Sequence, residues 1–167
     1  MEWMLLPLKR YADFSGRSRR MEYWMYMLLQ LIVIGVLYAL VLSGGGLSAI
    51  MAGAAANQGL DQPDLGQVSI GPMFWVGSLL LLVWGLGTLI PSIAVTVRRL
   101  HDRNLSGWWI LGFAVIAFVL MLIPLIGPLL VLAGEIAYIV ILALPGTSGP
   151  NKYGEDPLVS IDPEVFA

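Results

Sequence analysis

The sequence predicts an all-α, polytopic transmembrane helical bundle of four spans with both termini cytoplasmic. Three observations carry that reading. The chain is 58% hydrophobic and 12% charged, with a mean hydropathy of +0.83, which sets it apart from ordinary soluble domains. Its apolar residues lie in long runs punctuated by glycine, proline and clustered charge. All nine lysines and arginines fall on one face of a four-span threading.

Residues 1–20 form a cytoplasmic N-terminal interfacial segment. Here "PLKRYADF" places Leu8, Tyr11 and Phe14 at helical spacing and predicts a short helix lying in the interface. The membrane domain follows over 21–145. Its first span, 21–43, is "MEYWMYMLLQLIVIGVLYALVLS". At about 1.5 Å per residue it can cross a hydrocarbon core of about 30 Å, and it is longer than a signal-peptide core of about 7–15 residues. A retained span is therefore expected. The second, 72–97, opens at Pro72, a residue suited to the first helical position.

The third span, 108–123, covers only about 24 Å at that rise and ends before Pro124. The fourth, 128–144, is similarly short, and the breakers Pro124, Gly127 and Pro128 predict a tight helical hairpin, with a re-entrant pair as the alternative. The outer loop, 44–71, is rich in glycine and alanine, with a surface helix over 47–56. Residues 146–167 make a cytoplasmic C-terminal turn and tail.

Orientation comes from charge. Lys9, Arg10, Arg17, Arg19 and Arg20 precede the first span, Arg98, Arg99 and Arg103 separate the second from the third, and Lys152 follows the fourth. Neither 44–71 nor 124–127 carries a lysine or arginine. The excess of basic residues marks the cytoplasmic side of a plasma membrane.

Composition also removes whole classes of chemistry. Without cysteine and with one histidine, the chain can form neither a disulfide nor a multi-histidine zinc site, so no metal and no cofactor are expected. A net charge of −2 and localised basic residues argue against nucleic acid as a partner.

The polar residues gather in three blocks, all cytoplasmic in this topology. In "VRRLHDRNLSGWW", Arg98 and Asp102 are four apart, as are Arg99 and Arg103, so each pair shares a helix face. Asn104 can take a left-handed helix end, Ser106 can cap the next helix, and Trp108 and Trp109 are interface anchors. In "DFSGRSRRMEYW", Ser18 can cap the first span and Glu22 sits in its first turn, within reach of Arg98 or Arg99 if the spans are neighbours; Tyr23 and Trp24 are further anchors. "PGTSGPNKYGEDP" reads as an ordered turn around Asn151, Tyr153 and Asp156. The first two blocks have an alternative reading as plain anchors at the membrane edge, and the third as a mobile tail. Within the spans, Glu135 is the single carboxylate, expected to face other helices, with Gln30 a weaker candidate partner.

These three separated motifs, "DFSGRSRRMEYW", "LIPSIAVTVRRLHDRNLSGWW" and "PGTSGPNKYGEDP", resemble the bacterial inner-membrane protein family called domain of unknown function 805, over about Tyr11 to Pro157. The resemblance implies a multi-span helical protein of the bacterial inner membrane and assigns no activity. Where the family pattern has glycine this chain has Asn104.

Three functions compete. One is a non-enzymatic membrane-organising protein binding lipid, with anionic headgroups foremost, or a protein partner, or a second copy of itself. Its candidate cluster is Arg17, Arg20, Glu22, Arg98, Arg99, His101, Asp102, Arg103, Asn151, Tyr153 and Asp156. The second is a small transporter or channel subunit using Glu135. The third is a lipid-headgroup enzyme using His101 and Asp102 as acid and base. No catalytic residue is assigned, because no nucleophile motif, phosphate loop or metal set is present.

Overall fold

The computed structural model of the chain describes residues 2–57 and 69–158. Parts of the expected outer loop (58–68) and C-terminal tail (159–167) lie outside the described residues. Among the described residues every regular element is helical: α1 (Glu2–Lys9), α2 (Arg20–Val41), α3 (Leu47–Asn57), α4 (Pro72–Asp102), α5 (Trp109–Met121) and α6 (Ile126–Ala143). Three helical runs are long and apolar enough to cross a membrane: Arg20–Asn57, Pro72–Asp102 and Ile126–Ala143. The third expected span is α5, whose 13 residues reach only about 20 Å at 1.5 Å per residue.

The chain divides into two compact units, Leu28–Leu89 and a second formed by Met1–Met27 with Ile90–Ala167. In the Leu28–Leu89 unit, the surface helix expected over 47–56 is present as α3, and the residues before it, expected as loop from residue 44, are helical as well. A π-helical turn over Leu42–Gly46, with Gly45 at φ 103°, leads from α2 directly into α3. Small residues explain both features: glycine accepts the positive φ, and the alanines of "SAIMAGAAAN" favour helix. At Gly44 a side chain would collide with the backbone of Phe74, and the Gly71 N–H donates to the Gly44 carbonyl at 2.8 Å. Gln30 accepts the indole N–H of Trp84 at 2.7 Å.

In the other unit, the interfacial helix lies earlier than its spacing predicts, at Glu2–Lys9. Asp13 explains the stop: its carboxylate accepts from the Ser15 N–H at 3.0 Å and hydroxyl at 2.6 Å, a local turn that competes with helix. Helix α4 continues to Asp102 and closes in a Schellman end. There Leu105 N–H reaches the Leu100 carbonyl at 2.9 Å, Asn104 N–H reaches that of His101 at 2.9 Å, and Asn104 sits at φ 59°. Ser18 makes no cap, and Ser106 accepts only a long bond in the turn that precedes α5. Ser18 gives its hydroxyl to the Arg19 carbonyl, and α5 starts after Trp108, whose N–H is 3.4 Å from the Ser106 hydroxyl. Helices α5 and α6 make the expected hairpin, turning through Leu125 at φ 65° and packing Phe113 on Tyr138 with ring centroids 4.6 Å apart.

Burial is inverted relative to a soluble protein. Arg98, Arg99 and Ser18 are wholly buried, whereas Leu31, Phe118 and Leu122 are about 70% exposed and no residue of α5 is buried. Apolar surface on that scale requires an apolar solvent. A hydrocarbon surround covers the leucines and leaves the polar groups to satisfy one another.

Candidate functional site

The site lies where α2 begins, α4 ends and the chain leaves α6. Arg98 and Arg99 are adjacent on α4, about 100° apart around the axis, and therefore aim at different elements. Arg98 donates to Glu22 in the first turn of α2 at 2.8 Å, and also to the Asp13 carbonyl. Arg99 donates to Asp102 and to the carbonyls of Leu142 (2.8 Å) and Leu144 at the end of α6. Of the pairings open to Arg98 and Arg99 with Glu22 or Asp102, Arg98 takes Glu22 and Arg99 takes Asp102 at i,i+3.

Asp102 serves a second arginine. Its other oxygen accepts from Arg17 at 2.9 Å, and Arg17 donates further to the carbonyls of Gly149 (2.7 Å) and Thr147. One buried carboxylate thus joins the segment before α2, the end of α4 and the C-terminal turn. Arg103, expected beside Arg99, bonds the Pro145 carbonyl.

The C-terminal turn in return closes α4. Thr147 N–H reaches the Asp102 carbonyl at 2.9 Å, and the Asn151 amide reaches that of His101 at 3.0 Å. Asp156 holds the turn's shape by accepting from Leu158 and Gly149 N–H groups, each at 2.9 Å. Those amides, Leu158 first, hold its pKa below the ordinary carboxylate value. Tyr153 stacks on His101 with centroids 3.8 Å apart, and the imidazole Nδ1–H donates to the Gly16 carbonyl at 3.2 Å.

Arg17, Glu22, Arg98, Arg99, His101, Asp102, Arg103, Asn151, Tyr153 and Asp156 are therefore brought into one hydrogen-bonded block. Arg20 stands apart from it, exposed and without an acceptor among the described residues. Arg19 stacks over Trp3 at 5.6 Å, also without an acceptor among them. Arg19, Thr147 and Gly146 were not singled out by sequence reasoning, since a partner that is a backbone carbonyl or an adjacent cavity leaves no spacing signature.

Tyr23 is not an anchor at the interface. It is buried and bonded to Thr96, on the α2 face that also presents Tyr26 to Ser92 at 3.0 Å. Trp24, Trp108 and Trp109 are exposed. Glu135 is exposed too. The α5–α6 hairpin closes through Phe113 and Tyr138 and leaves the carboxylate on the flank of a groove of about 230 Å³. Among the described residues no cluster of acidic and histidine side chains is arranged to hold a metal.

Long helices with apolar surfaces and buried arginines at one end define a helical membrane protein with several apolar spans. The chain belongs to the family described as "Protein of unknown function (DUF805)", which matches residues 11–155. It is similar to Inner membrane protein YhaI of Escherichia coli (strain K12), 36% identical over 94% of this chain and 96% of that one. It also resembles Inner membrane protein YhaH of the same strain, 35% identical over 94% of this chain and 97% of that one. A third relative is that strain's Uncharacterized protein YiiR, 30% identical over 86% of this chain and 85% of that one. No solved structure matches.

Proposed function

We propose that the chain is a four-span inner-membrane protein with both termini in the cytoplasm, whose arginine block forms a rigid platform binding anionic membrane lipid without catalysing a reaction. One observation carries this reading. Arg17, Arg98 and Arg99 are spent on internal carboxylates and carbonyls, while Arg19 and Arg20 beside them keep their donors free of any described acceptor. A platform held so firmly positions its two remaining arginines where an anionic leaflet attracts basic side chains by about 1 kcal/mol each. The one-sided distribution of lysine and arginine supports the orientation.

The same geometry speaks against acid–base chemistry by His101 and Asp102. Asp102 is held by two guanidinium groups, and His101 is stacked and bonded to a carbonyl. Two measurements test the proposal. A reporter fused after Asn57 must behave as extracytoplasmic; a cytoplasmic signal overturns the topology. Native mass spectrometry of the protein released from mixed nanodiscs must show phosphatidylglycerol retained over phosphatidylcholine; equal retention overturns lipid selectivity.

A further inference from the structure

Between the start of α2 and the C-terminal turn lies a cavity of about 360 Å³, within the range of about 300–1,000 Å³ typical of small-ligand sites. Four arginines and two aspartates line it, leaving an excess of two positive charges. Its inner wall is fixed: Arg17 and Arg99 are almost fully buried, with their guanidinium nitrogens engaged by Asp102 and by carbonyls. Its outer wall is unspent, because Arg19 and Arg20 find no hydrogen-bond acceptor among the described residues.

A second feature points the same way. Arg20 and Met21 open α2 at the cavity, and no described side chain accepts from their amide N–H groups, which sit at the positive end of a 22-residue helix. Ser148 adds a hydroxyl, and Trp3, Met21 and Leu158 give the lining an apolar portion. Bidentate guanidinium groups, free helix amides and a hydroxyl are complementary to a tetrahedral, multiply charged oxyanion. The apolar residues suit the ester portion of such a group.

We infer that this cavity is a discrete binding site for a phosphate ester, held by Arg19, Arg20 and the first amides of α2. This rests on the lipid-binding reading above and adds to it a single location and a headgroup chemistry. The ester is either the phosphodiester of an anionic phospholipid or a soluble phosphate monoester.

The test compares the full-length wild type, Arg19→Gln/Arg20→Gln, and the charge-matched control Lys9→Gln/Lys152→Gln. Each is reconstituted in phosphatidylcholine nanodiscs with and without phosphatidylglycerol, and retained lipid is measured by native mass spectrometry. Removing two arginines near the surface is expected to weaken phosphatidylglycerol retention about thirtyfold, with much less effect in the control. The variant gives up the Arg19–Trp3 stacking but no hydrogen bond among the described residues, so it should melt close to the wild type, which separates lost binding from lost fold. Glycerol 3-phosphate added in detergent supplies the other arm. If it stabilises the wild type but not the arginine variant, while no lipid is retained, the same site belongs to a soluble ester and the lipid reading fails. If both double variants lose lipid equally, attraction is diffuse; the cavity assignment is overturned and the broader reading stands. No response to either ligand overturns both.

Discussion

Replacing Asp102 by asparagine tests whether the buried carboxylate holds three segments of the chain together. The substitution keeps the shape and removes the charge that Arg17 and Arg99 share. Asparagine's oxygen can still accept from one guanidinium, but its NH2 then turns donors toward the donors of the other. Both arginines are nearly inaccessible, with side-chain exposures of 2% and 0%, so water cannot readily replace the lost acceptor. Breaking a buried pair by removing one partner costs about 3–5 kcal/mol. At about 2–4 °C per kcal/mol for a domain of this size, the melting temperature should fall by about 6–20 °C. The assay is thermal unfolding in one detergent, followed by near-UV tryptophan signals. Asp13→Asn supplies the comparison: the Arg10–Asp13 pair is 35% exposed on each side, and such pairs contribute about 0–1 kcal/mol. A loss for Asp102→Asn no greater than for Asp13→Asn would falsify the clamp.

Gly146→Ala should lower the melting temperature in the same way, because an added Cβ at residue 146 would strike the Asp102 carboxylate while both arginines hold it. Combined with Asp102→Asn it should add little, and full additivity would refute a shared cause. Asn104→Ala should cost about 1–2 kcal/mol, since Asn104 occupies the left-handed region at φ 59°; no change in denaturant midpoint would refute that. Asp13 should titrate at about 2 instead of 3.8, held down first by the Ser15 hydroxyl and then by Arg10. Its stabilising effect is thus complete above pH 3.8 and lost as pH falls through about 2. Carboxyl NMR should show the midpoint rising in Ser15→Ala, and an unmoved midpoint would reject the assigned cause.

The parts legible in the sequence are those governed by short-range rules. Apolar runs, the proline-marked hairpin and the left-handed Asn104 end of α4 follow from periodicity, breakers and local sterics. The extension of α2 through Gly45 into α3 was hidden because glycine and alanine satisfy both loop and helix composition. Choice of partner was hidden for a different reason. Spacing offered Asp102 to Arg98 and left Glu22 open to either arginine; which guanidinium takes Glu22 depends on packing between segments 76 positions apart in sequence. Glu135 was read from cost alone, and the side on which α6 meets α5 is decided by Phe113 and Tyr138.

Why arginine occupies these buried positions follows from what each side chain must reach. Helices α4 and α6 both end within the block, and each end presents backbone carbonyls that need donors. Arg99 answers two carbonyls at the end of α6 and a carboxylate on its own helix at once, and Arg17 joins a carboxylate to two carbonyls of the C-terminal turn. Lysine's three donors radiate from one nitrogen and cannot span three separated oxygens, whereas a guanidinium presents five in a plane. The charge cluster met first as a run of sequence therefore closes helix ends before it binds anything. Arg19 and Arg20 differ from the buried three because nothing in the described chain requires their donors. That difference, rather than the number of arginines, is what makes room for an external anion.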